Sequence, residues 1–180
     1  MEERMGEAFA GTEQLTVIGK QLHAGDPAPD FRLDYLDLAD LAIRTISLAD
    51  STGLVRLLSV VNSLQRPVCQ RVTRQWEALW ATLPPEACIY TVSRDSPQMQ
   101  ANFQDSAGVL HQALSAQRSE QFGQDYGVWL KEWRLFQRAV FVIDRNDRIT
   151  YIEVQTLDNW LTCLNQRNLC HTFDAKAIYD

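Results

Sequence analysis

Four cysteines, three histidines and a set of arginines are the side chains of this chain that invite a chemical reading, and one cysteine is better placed than the others. Cys69 lies in the run Leu57-Leu58-Ser59-Val60-Val61-Asn62-Ser63-Leu64-Gln65-Arg66-Pro67-Val68-Cys69-Gln70-Arg71-Val72. Downstream, Val72, Trp76, Leu79, Trp80 and Leu83 form one apolar stripe at helical spacing. Pro67 suits a first helical position, where its missing N–H costs nothing. That register puts Cys69 in the first turn of the helix, three residues before Val72 and on the same stripe. First-turn amides and the positive end of the helix dipole favour a thiolate there. A single cysteine at a strand–loop–helix turn is a candidate nucleophile. The plain alternative is a small buried residue on an apolar stripe.

The remaining thiols carry no such pattern. Cys88 lies among apolar strand residues and reads as inert core. Cys163 falls off the stripe of the last helix and Cys170 lies near an unpatterned tail. We read both as free surface thiols, with resolution of an oxidised Cys69, across a dimer, as the alternative. Residue 72 is valine, so Cys69 has no Cys-x-x-Cys partner, and no cysteine or histidine pair has metal-ligand spacing. His23, His111 and His171 are far apart, which points to surface or structural roles. No cofactor or metal is expected.

The elements that must position Cys69 follow from periodicity. Val55 to Val61 is apolar almost throughout, as in a central strand buried on both faces. Cys88 to Val92 and Arg138 to Ile143 read as two further buried strands. Ile149 to Val154 returns as the hairpin partner of the last of these. Residues 7–18 read as a short hairpin, Phe31 and Leu33 as extended, and 34–42 as loop with at most one helical turn. Thr45 to Leu48 reads as a short strand or bridge. Pro84-Pro85 stops the first long helix. Ser96 caps a second helix with Pro97 in its first position, running to about Asp105. Glu120 to Tyr126 reads as a short helix ended by Gly127. Leu157, Trp160, Leu161 and Leu164 form the stripe of a last helix. Alternating strands and helices closed by a hairpin imply an α/β three-layer sandwich with a mixed central sheet and an N-terminal hairpin.

Size and charge bound the function. The 180 residues suffice for one domain with a full core, and we read 1–180 as that single domain. With 17 basic and 23 acidic residues the net charge is −6, against nucleic acid or an anionic membrane as main partner. No apolar run reaches membrane-span length, and the acidic start has no secretory h-region. A cytoplasmic location is expected.

In order and spacing, seven fragments are similar to one family. They are Ala28-Pro29-Asp30-Phe31, Leu58-Ser59-Val60-Val61, Pro67-Val68-Cys69 with Thr73-Arg74, Val92-Ser93-Arg94-Asp95, Phe122-Gly123, Tyr126-Gly127-Val128, and Arg138-Ala139-Val140-Phe141-Val142-Ile143-Asp144. Together they resemble the thiol peroxidases, the atypical two-cysteine branch of the peroxiredoxins, over about residues 11–153, with 168–180 a divergent tail. The resemblance implies a thioredoxin-like fold, a peroxidatic role for Cys69, a catalytic arginine at Arg138 and a homodimer. Its substrate would be hydrogen peroxide or a small organic hydroperoxide, and its reductant an external thiol or a thioredoxin-like protein.

Two departures qualify that expectation. The family signature has proline, then threonine four residues on, then cysteine three further; here those positions are Asn62, Arg66 and Cys69. The threonine that bonds the thiolate and the proline that shields it are therefore missing. Arg66 either turns inward as a second cation beside the thiol or points outward. The family's resolving cysteine falls at Gln104, so the family disulfide cannot form. We expect a one-cysteine peroxidase of weak activity using Cys69, Arg138 and Arg66. The alternative is a peroxiredoxin-fold protein whose decayed site serves sensing or binding.

Overall fold

The structure, a computed structural model, describes residues 1–154. The chain opens with two antiparallel hairpins. β1 (Glu3–Ala10) and β2 (Glu13–Ile18) turn at Gly11, whose φ of 63° is one that glycine adopts without strain. β3 (Arg32–Asp37) pairs with β4 (Ala42–Ser47), which corrects the loop expected over 34–42. Only residues 38–41 turn. The acidic residues that argued for a loop are satisfied within the hairpin and beside it: Asp34 accepts from Thr45 Oγ1 at 2.7 Å and pairs with Arg118 at 3.1 Å.

A short 3₁₀ turn (Leu48–Ser51) leads to β5 (Val55–Val60), every residue of which is buried, as a run apolar on both faces requires. α1 (Pro67–Trp80) follows, with Pro67 in its first turn. It ends well before Pro84, so the prolines follow the helix rather than stop it. β6 (Ala87–Ser93) leads to α2 (Pro97–Ala107), capped by Ser96 Oγ accepting from the Met99 N–H at 3.3 Å. β7 (Gln112–Ser115), α3 (Gln121–Asp125), β8 (Trp129–Leu130), β9 (Leu135–Phe136), β10 (Ala139–Ile143) and β11 (Ile149–Val154) complete the described chain. The helix expected over 157–164, with Trp160, Cys163, Cys170 and His171, lies outside the described residues.

Seven strands form a mixed sheet in the order β11-β10-β5-β6-β7-β3-β4, parallel from β5 to β7 and antiparallel elsewhere. α1 covers one face: Trp76 packs with Val55, Leu57, Ile89, Val140 and Val142. The other face carries an aromatic core of Phe31, Phe122, Tyr126, Trp129, Phe136 and Phe141. A second sheet, β1-β2-β8-β9, shares that core through Ile18, Trp129 and Phe136. This is the three-layer α/β sandwich with an N-terminal hairpin that the periodicity implied. No helix among the described residues is long and apolar enough to cross a membrane.

Candidate active site

The crossing from β5 to α1 is tied down at several points. The Val61 N–H donates to the Val92 carbonyl at 2.9 Å, carrying the sheet one residue past β5. Asn62, buried, donates its amide N–H to the Phe136 carbonyl, two residues before Arg138. Asp95, buried two residues past the end of β6, accepts from Ser63 Oγ at 2.7 Å, from the Leu64 N–H at 2.6 Å and from Ser93 Oγ at 2.8 Å. Gln70 Nε2 donates to the Leu64 carbonyl at 2.8 Å.

The helix starts without help from its cap. Arg66 stands at the N-cap in extended conformation and makes no side-chain cap bond. A threonine there would supply one, and its absence costs about 1 kcal/mol. The Gln70 N–H closes on the Arg66 carbonyl at 3.0 Å. The N–H groups of Val68 and Cys69 belong to the first turn, where the helix itself offers no acceptor.

Cys69 is 0% exposed. It packs in one apolar cluster with Val61, Leu64, Phe103, Val109 and Ala113, so α2 contributes Phe103 to the group around the thiol. Thr73 Oγ1 donates back to the Cys69 carbonyl at 2.9 Å.

Register places Arg138. Ala139 pairs with Val60, so the next step of the ladder sets Arg138 opposite Val61. Side chains alternate along a strand, which puts Arg138 on the face of Val140 and Val142, the face that α1 covers. Val61 is itself in the Cys69 cluster. Arg138 and Cys69 therefore share one end and one face of the sheet. Arg138 is 7% exposed, and its Nη1 is buried with no hydrogen-bond partner. A buried donor left unpaired costs free energy unless a ligand oxygen completes it.

Arg66 adopts the outward of its two orientations. It is exposed, and its guanidinium carbon lies 5.9 Å from the Trp133 ring centroid. Stacking on an indole keeps the charge in water while the stem covers apolar surface. The structure thus sets Cys69 and Arg138 at one end and face of the sheet, with Arg66 exposed against Trp133.

At the resolving-cysteine position, Gln104 Nε2 donates to the His111 carbonyl at 2.8 Å. His111 is buried and structural. Its Nδ1 lies 2.7 Å from Glu77 Oε2 on α1, its Nε2 lies 2.9 Å from Thr91 Oγ1, and its backbone N–H donates to Glu77 at 3.0 Å. Burial lowers the imidazole below its ordinary pKa, outweighing the carboxylate beside it. Burial works to raise Glu77, but the hydrogen bonds from His111 hold its carboxyl below the ordinary range. Cys88 is only half-buried, and burial still pushes its thiol up. A cleft of about 400 Å³ between β3, β7 and α3 lies away from Cys69.

Asp95 escaped the sequence reading as a site residue. Its one signal was an acid set between two serines at the end of a buried strand. The Asn62–Phe136 tie left no sequence signal.

Comparison with known proteins adds an independent line. The family model described as AhpC/TSA family matches residues 24–152. A thiol peroxidase from Halalkalibacterium halodurans is 42% identical over 141 residues, covering 77% of this chain and 81% of that protein. A thiol peroxidase from Bacillus subtilis is 36% identical over 140 residues, covering 77% of this chain and 80% of that one. Among solved structures, a thiol peroxidase from Chromobacterium violaceum superposes with a TM-score of 0.73 at 22% identity, covering 96% of this chain and 98% of that one. This last likeness establishes the thioredoxin-like peroxiredoxin fold.

Proposed function

We propose, because this chain belongs to the AhpC/TSA family, that it is a thiol-dependent peroxidase working through one cysteine. The observation that carries this reading is the pairing of a first-turn Cys69 with a buried, unpartnered Arg138 nitrogen at the same end and face of the sheet. The Cys69 thiolate attacks one peroxide oxygen in line with the O–O bond. An S–O bond forms as the O–O bond breaks, and the leaving oxygen takes a proton to depart as water or an alcohol. Arg138 and the first-turn N–H groups are the donors for the charge that develops on those oxygens. Cys69 is left as sulfenic acid. One external thiol condenses with it, releasing water and forming a mixed disulfide. A second thiol displaces Cys69 and leaves with the first as a disulfide.

The same family premise supports a small peroxide as substrate, a small thiol or thioredoxin-like protein as reductant, a homodimer and a cytoplasmic setting, with no cofactor. Arg66 and Asn62 are what speak for a decayed site. The held loop and the unpartnered arginine outweigh them.

With dithiothreitol in excess, the wild type is expected to turn over hydrogen peroxide. With thiol withheld, mass spectrometry should find Cys69 as sulfenic acid, or trapped by a sulfenic-acid reagent. No turnover overturns the proposal, and a Cys69 disulfide to another cysteine of the chain overturns its one-cysteine form.

Arg66→Thr is expected to raise the peroxide rate. Threonine both donates and accepts, whereas arginine only donates, and Arg66 here is exposed with its guanidinium over the Trp133 ring. Restoring the hydroxyl at the N-cap should give a gain of about tenfold, below the hundred- to thousand-fold worth of a fully preorganised site donor. A slower Arg66→Thr variant makes Arg66 a working part of the site.

A further inference from the structure

We infer that Asp95 is a positioning residue, a clamp that holds Cys69 where peroxide can meet it and that must yield before a reductant reaches the sulfur. This rests on the peroxidase reading above. On one side the clamp is anchored to the scaffold. Ser93 Oγ donates to the Asp95 carboxylate at 2.8 Å and itself accepts from Gln100 Nε2 at 3.0 Å. Ser115 Oγ donates to the Asp95 carbonyl at 2.6 Å, fixing the backbone to β7. On the other side the same carboxylate grips the loop before α1 at two atoms, Ser63 Oγ at 2.7 Å and the Leu64 N–H at 2.6 Å.

Three observations give this grip its meaning. Asp95 is buried, and no lysine or arginine pairs with it among the described residues. An unpaired buried carboxylate is retained at a cost that only short, charge-assisted hydrogen bonds offset. Next, Leu64, whose amide the carboxylate holds, has its side chain in the Cys69 cluster. Moving that amide moves the packing around the sulfur. Finally, the N-cap residue Arg66 makes no side-chain cap bond, so no capping side chain helps to fix the helix start. The Asp95 contacts two and three residues upstream take up that role, beside the Gln70 bond to the Leu64 carbonyl.

The two half-reactions then make opposite demands. Oxidation needs the sulfur held against its donors, and a misplacement of about 1 Å can cost a hundredfold. Reduction needs the sulfenic acid of a residue that is 0% exposed to be uncovered. Asp95→Ala is therefore expected to slow single-turnover oxidation of Cys69 by about tenfold or more, while iodoacetamide alkylates the reduced thiol faster. Asp95→Asn, keeping one acceptor, should fall between. Amide exchange over residues 63–66 should rise in the alanine variant with β5 unchanged. A general loss of stability would raise exchange in β5 along with residues 63–66, whereas a released clamp leaves β5 protected. Unchanged rates, or two rates that shift in the same sense, overturn the inference. Should Asp95→Ala fail to fold, Ser63→Ala removes one loop contact and is held to the same opposite signs. A wild type inert to peroxide would sink the peroxidase reading, and exchange over 63–66 would still decide whether the clamp exists.

Discussion

Cys69→Ser is expected to consume no peroxide above the uncatalysed rate under conditions where the wild type turns over. The reason is chemical rather than steric. Serine fits the apolar cluster of Val61, Leu64 and Phe103 with little change in volume. Its hydroxyl, however, is not ionised near neutral pH and needs an adjacent base to act as a nucleophile. The histidine described near α1, His111, has both ring nitrogens engaged, by Glu77 and by Thr91. Cys88 cannot take over: it sits on β6 and its thiol is pushed up by burial. Far-ultraviolet circular dichroism should show the fold retained. Thiol-dependent peroxide turnover persisting in the folded serine variant would remove Cys69 from the centre of the mechanism, whatever its position on α1.

How much of this was legible depends on the range of the interactions. β5 and α1 were readable because an apolar run and a helical stripe are local patterns, and Pro67 marks the junction. The position of Cys69 follows from those two alone. β7 was not readable, because Gln112–Ser115 is a short run that becomes a strand by parallel pairing with β6. β8 and β9 are two residues each and are defined by the partner strands they meet. The site divides in the same way. A cysteine in a first helical turn is a pattern within a few residues. The Asp95 grip on Leu64 spans 31 positions and the Asn62 tie to Phe136 spans 74. Contacts of that range arise from topology, and periodicity carries no trace of them. The orientation of Arg66 was open in the sequence for the same reason. It is settled by Trp133, which a separate sheet brings beneath it.

Arg138→Gln is expected to lower the rate of Cys69 oxidation by about a hundred- to a thousand-fold, the usual loss on removing one preorganised donor from a developing negative charge. Glutamine keeps a donor near the same place but carries no charge and reaches less far. Arg138→Lys restores the charge without the planar fork and should recover only part of the loss. What separates a catalytic from a structural role is the sign of the stability change. A buried arginine held by ion pairs would leave its partner charges exposed when removed, and the protein would unfold at lower temperature. Here Nη1 has no partner among the described groups, and no ion pair to Arg138 is present among them. An unpaired buried charge is a cost to the fold. Arg138→Met should therefore melt at or above the wild-type temperature while losing most of its peroxide activity. Two measurements check this, stopped-flow oxidation of the reduced protein and a thermal melt on the same sample. An Arg138→Met variant that melts well below wild type, or one that reacts with peroxide within about threefold of it, would mean the guanidinium serves the fold and not the O–O bond.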